Sequence, residues 1–172
     1  MRWIVWMAAS AAVMVSACSK PDAKADATAP AGPRVVAAND IEAGRYLVLV
    51  GGCNDCHTEG FPQSGGSIPE AQRLTGRSVG YQGPWGVSYA SNLRLLAANM
   101  TEDGWVEIMK TKKLLPPMPS HNLAKVSDPD LRAMYRYIHS LGAAGQPEPE
   151  NLPPGVAPKT AVENMVPVPP AA

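Results

Sequence analysis

The chain has 172 residues, and its fifteen Lys and Arg are balanced by fifteen Asp and Glu. That length is normally one domain with appendages, and a balanced charge offers no bulk field that would call for nucleic acid as a partner. Cysteine is used three times, an odd count whose placement matters more than its number.

Residues 1–17 are apolar apart from Arg2 and two serines, with a hydrophobic stretch from Trp3 to Val15 and small residues at Ser16 and Ala17. This is the pattern of a secretory signal, and it is short of the roughly 20 apolar residues a membrane-spanning helix needs. Val15-Ser16-Ala17-Cys18 resembles a bacterial lipobox, which implies lipidation of Cys18 as the first mature residue; an uncleaved anchor or a plain signal cut after Ala17 is the alternative. The expected location is therefore the periplasm, on a membrane through the lipid, with Ser19 favouring the outer membrane; a soluble periplasmic protein is the alternative. Residues 18–34 hold Ala, Asp, Lys and Pro with no large apolar side chain, so they read as a disordered tether.

The folded unit is expected over 35–142 and contains three helices. The first spans about Ile41 to Gly51 behind an Asn39 or Asp40 cap, with Ile41, Tyr46, Leu47 and Val50 as its apolar face. Gly44 in its middle costs about 1 kcal/mol against Ala, which asks for close packing. The second starts at Thr101 and carries Trp105, Ile108 and Met109. The third has Ser127 as cap, Pro129 in its first turn and Asp130 imitating a capping box. Its face is Leu131, Met134, Tyr135, Ile138 and Leu141, and Gly142 stops it. Lys110, Lys112 and Lys113 fit a helix C-terminus, where cations meet the macrodipole favourably. No stretch alternates with period two, so no sheet is expected. Residues 143–172 contain prolines at 147, 149, 153, 154, 158, 167, 169 and 170, and read as an extended, disordered tail.

Between His57 and Met100 lies a long segment rich in Gly, Ser, Pro and Gln with no periodicity. A structureless loop of that length is uncommon in a compact domain. A large apolar cofactor would resolve the difficulty, because loops can wrap it and it replaces missing core side chains.

Cys53-Asn54-Asp55-Cys56-His57 supplies the attachment for such a group, since C-x-x-C-H is the haem c motif. The two thiols can add across the two vinyl groups of one haem, and the following imidazole is held beneath the iron as a ligand. A thioredoxin-like dithiol would need a βαβ setting, and a structural zinc site would need four ligands, where only His121 and His139 remain. For the sixth iron position residues 18–172 offer Met100, Met109, Met118, Met134 and Met165, of which the soft thioether of Met118 stands out. Leu115-Pro116-Pro117-Met118-Pro119 holds it stiffly, whereas Met109 and Met134 fall on helix faces and Met165 in the tail. His121, three residues later, is the rival.

Helix, CxxCH, glycine-rich loop, Pro-Met-Pro loop and capped last helix follow in the order of class I c-type cytochromes. The runs Met118-Pro119-Ser120-His121-Asn122-Leu123 and Gly83-Pro84-Trp85-Gly86-Val87-Ser88-Tyr89-Ala90-Ser91-Asn92-Leu93 resemble the cytochrome domains that serve alcohol, aldehyde and sugar-acid dehydrogenases. The resemblance covers about Asp40 to Gly142. It implies an all-α small cytochrome c fold, in which the first and last helices cross at Gly44 and Tyr137 and a Met loop wraps one covalent haem. The expectation is a single-haem electron carrier, not an enzyme, with His57 and Met118 axial and with redox donor and acceptor proteins as partners, among them a periplasmic dehydrogenase or a terminal oxidase. The alternatives are a haem-binding subunit of a periplasmic dehydrogenase and a ligand-binding or peroxidatic haem protein.

Overall fold

The structure is a computed structural model that describes residues 32–170. The signal segment, Cys18 and most of the tether lie outside the described residues. The described residues form six α-helices: α1 (Asp40–Val50), α2 (Cys53–His57), α3 (Leu93–Ala98), α4 (Glu102–Thr111), α5 (Ser120–Leu123) and α6 (Asp128–Ser140). Three strands accompany them: β1 (Gly80–Gly83), β2 (Gly86–Ser88) and β3 (Val162–Asn164). The expected all-α fold is thus corrected to a mixed α/β one. The strands lack alternation in their sequence for a physical reason. All three residues of β2 are buried, so no period of two can show, and β1 is half glycine.

The helix starts follow from local chemistry. Asn39 accepts from the Glu42 amide, Thr101 from Gly104 and Ser127 from Asp130, each satisfying a donor that the first helical turn leaves free. Asn92 does the same for α3, accepting from Arg94 and Leu95. At the far end of α6, the buried Arg94 donates to the carbonyls of Leu141 and Gly142, and also to Ala71 at 2.6 Å. One guanidinium therefore closes a helix C-terminus and ties it to the turn at Glu70–Gln72.

The core lies where α1, α3 and α4 meet α6, around Val48, Leu93, Trp105, Met109, Leu131 and Ile138. The face of α1 is only partly the expected one. Ala43, Gly44 and Val48 are buried and Leu47 packs half-buried against the core, while Ile41, Tyr46 and Val50 are exposed. Small side chains let α1 approach α6 so closely that a Cβ on Gly44 would lie 2.0 Å from the Ala133 carbonyl oxygen and 2.8 Å from Tyr137 Cβ. Arg136 binds this assembly from its rim, pairing with Asp40 of α1 and with Glu102 of α4 at 2.8 Å.

The long middle segment is organised. Thr58 bridges to Gly76, and the Thr58 hydroxyl accepts from the Leu74 amide at 2.8 Å while donating to Asn54 at 2.8 Å. These bonds close the base of a loop around buried Leu74. β1 and β2 then form a hairpin, with Tyr81 opposite Ser88 and Gly83 opposite Gly86.

The proline-rich segment does not stand apart from the domain. β3 pairs in parallel with β1, Gly80 opposite Val162 and Gln82 opposite Asn164, giving the sheet order β2-β1-β3. Upstream, Leu152 exchanges two backbone bonds with Val87, at 2.8 and 2.9 Å. Proline cannot donate within a ladder, but the non-proline residues between the prolines can. Composition showed the first fact and hid the second. Among the described residues no helix is long and apolar enough to cross a membrane.

Candidate functional site

Residues 51–58 turn the end of α1 into α2. Gly52 takes a left-handed conformation (φ 67°), which glycine adopts without a steric penalty. Gly51 has no room for a side chain, since a Cβ there would approach the Leu47 carbonyl oxygen to 2.8 Å. α2 then presents Cys53 and Cys56 three residues apart on one helical face, about 5–6 Å between Cβ atoms by that spacing. Among the described residues neither thiol has a disulfide partner, and both are half-buried. Burial pushes the Cys53 thiol up to about 11, against a smaller opposing pull from a backbone hydrogen bond. The residues between them are fixed from below by buried Asn54, which accepts from Thr58.

His57 is buried, and its Nδ1 lies 2.7 Å from the Ser91 carbonyl oxygen. A carbonyl can only accept, so Nδ1 carries the proton and Nε2 keeps its lone pair for a metal. Burial lowers the His57 pKa, and the bond to Ser91 offsets part of that effect. The neutral imidazole is the ligating form, so burial and orientation act in the same direction. The backbone is held as well, by Gly76 N–H donating to the His57 carbonyl at 2.8 Å.

Met118 is half-buried in the turn between α4 and α5. Its amide donates to Leu115 at 3.2 Å and its carbonyl accepts from Ser120 at 2.9 Å. The turn is fastened to the hairpin by Ser88, whose hydroxyl donates to the Pro116 carbonyl. His121 is exposed on α5. Ser88 and Ser91 belong to one stretch, so the turn carrying Met118 and the imidazole of His57 are secured to the same few residues of backbone.

Sequence reasoning missed Ser88, Ser91 and Asn92. Asn92 before a run of leucines is a legible cap signal, but nothing in the sequence ties Ser91 to His57. It also missed Tyr81, whose buried hydroxyl neighbours Cys56 and accepts from Arg77 Nη1 at 2.7 Å. Arg77 is mostly buried and pairs with Glu163 of β3 at 2.8 Å. Among the described residues its Nε has no hydrogen-bond partner, and the Glu59 carboxylate stands 3.7 Å away.

These residues suit a haem held by two thioethers. The thiols share a face, and the imidazole has one nitrogen committed and one free. A chelated ion fits less well: among the described residues no three His, Cys, Asp or Glu side chains converge to hold a metal. A cavity of about 250 Å³ lies elsewhere, between residues 34–40 and the start of α6, and shares no lining residue with Cys53, Cys56, His57 or Met118. No protein-family model matches the chain, and neither the curated proteins nor the solved structures include a significant match.

Proposed function

We propose that the protein is an exported electron carrier with one covalently bound haem c. The observation that carries this reading is His57, placed directly after two free thiols on one helical face, with its Nδ1 proton engaged by Ser91. Cys53 and Cys56 would provide the thioether links, and His57 Nε2 and the Met118 sulfur would hold the iron. Haem bound in this way supplies one-electron exchange between ferric and ferrous iron.

The chain's own contribution is to hold ligands and exclude water. Asn54 and Thr58 fix α2, Ser91 fixes the imidazole, and the Ser88–Pro116 bond restrains the Met118 turn. With two of its own side chains holding the iron, the protein would leave no position for substrate at the metal, so this reading makes it an electron carrier and not an enzyme. Redox donor and acceptor proteins, such as a periplasmic dehydrogenase or a terminal oxidase, are the partners this reading implies. Acylation of Cys18 would tether the carrier to the periplasmic face of a membrane, the outer membrane by the residue that follows. The test is direct: express the full chain with a haem-attachment system, denature it and extract with acidified organic solvent. Haem should stay with the polypeptide, and Cys53→Ala or Cys56→Ala should weaken or abolish that retention. Haem that extracts freely from the wild type overturns the reading.

A further inference from the structure

We propose that residues 143–165, beyond the helical core, are a strap that positions the 87–92 stretch and, through it, both residues that would ligate iron. The proposal rests on the reading of His57 and Met118 given above. Its grounds are where the segment makes its bonds. Asn92 Nδ2 donates to the carbonyls of Ala144 and Gln146, at 2.8 and 3.1 Å, and the Asn92 amide donates to Glu148 at 3.0 Å. The Tyr89 amide donates to Asn151 at 2.8 Å, and the Tyr89 hydroxyl shares a 2.7 Å bond with Thr160. Val87 and Leu152 bond to each other in both directions.

These anchors alternate with the two functional contacts. Val87, Tyr89 and Asn92 hold the strap, while Ser88 holds the Met118 turn and Ser91 holds His57. An extended backbone can present such an arrangement because successive residues face opposite ways. A peptide unit bonded on one side to the strap cannot rotate freely, and the Ser91 carbonyl belongs to the same peptide unit as the Asn92 amide that Glu148 accepts from. Fixing that amide fixes the direction of the carbonyl that orients His57. Partners one step removed from a ligand commonly change metal binding by about 10- to 100-fold when lost.

Two variants of the full chain test this. One ends at Gly142; the other, Glu148→Ala with Asn151→Ala, keeps the strap but removes two of its bonds and touches no cysteine or ligand. The first readout needs no haem: ¹⁵N NMR of the His57 ring in the apoprotein. The wild type should show a single Nδ1–H tautomer, and both variants a mixture. The second is carbon monoxide binding to the reduced holoprotein, which should become roughly tenfold faster as the Met118 turn loosens. Wild-type ring shifts and a wild-type rate, with only a lowered melting temperature, would overturn the proposal and leave the strap as plain stabilisation. Where the shortened chain fails to accumulate, the double substitution decides by the same two measurements. A wild type without covalent haem defeats the functional reading, and the ring spectra still judge the strap.

Discussion

Gly44 of α1 sits against the backbone of Ala133 in α6 with no space for even one methyl group between them. The closeness is what lets Val48 reach the core beside Leu131 and Ile138, because a larger residue at 44 would lever the two helices apart.

Gly44→Ala therefore reverses the usual helix ranking. In an exposed helix interior the change would add about 1 kcal/mol of stability. Here overpacking against backbone, which cannot move aside as a side chain can, should cost roughly 3 kcal/mol net. Urea unfolding of the two proteins measures the difference, and a neutral or stabilising result would show that α1 and α6 can separate cheaply.

Arg94 is buried and bonded to three carbonyls, two of them at the end of α6. Arg94→Leu should lower stability by about 3 kcal/mol, since the acceptors lose a charged donor and stay enclosed. Lysine cannot span three directions, so Arg94→Lys should recover only part of the loss. Full recovery by lysine would mean that charge alone matters.

Met118→Ala should leave haem covalently attached while exposing the iron to cyanide or carbon monoxide. Met118→His should keep it low-spin and lower the potential, because imidazole favours the ferric state more than a thioether does. His121→Ala should change neither, consistent with an exposed side chain on α5. Loss of the wild-type spectrum in His121→Ala, with Met118→Ala unaffected, would reassign the ligand.

Glu102 is held below the ordinary carboxyl value of 4.5 by hydrogen bonds from Arg136 and then Arg132, with desolvation opposing them. Its folded-state value is depressed, so its contribution is complete above 4.5 and is lost as pH falls below that. The pair lies near the surface, and the effect should stay under about 1 kcal/mol. Thermal melts of wild type and Glu102→Gln should differ at pH 7 and converge near pH 3; a gap that persists in acid would point to lost packing instead of lost charge.

Burial of Cys53 gives a fifth expectation. In the folded apoprotein it should resist iodoacetamide near neutral pH and react faster as pH rises towards 11. In urea the protection should vanish. Equal alkylation rates in folded and unfolded chains, followed by mass spectrometry, would show that the thiol is open.

What could be read from the sequence divides by the range of the interaction. Helix caps are local, and Asn39, Thr101 and Ser127 stand where residue type and spacing put them. The site cysteines and His57 are contiguous, so their grouping needs no fold. Non-local features were out of reach. α1 buries its small residues because α6 lies close, a fact that hydrophobicity alone inverts. The hairpin and β3 consist of three or four residues each, and their pairing depends on partners far along the chain. Ser91 looks like any loop serine until the fold brings His57 to its carbonyl.

The pairing of β1 with β3 has a temporal consequence. Arg77 and Glu163 meet across 86 residues of chain, and contacts of such long range are made late, because the entropy of closing the loop comes before any reward. A chain threaded outwards from its N-terminus would deliver α1, the cysteines and α6 before the last strand arrives. Until then the edge of β1 stays bare and the 87–92 stretch lacks its backing. Completion of the sheet therefore waits on Val162–Asn164, after the cysteines and the helices that bury them have been delivered.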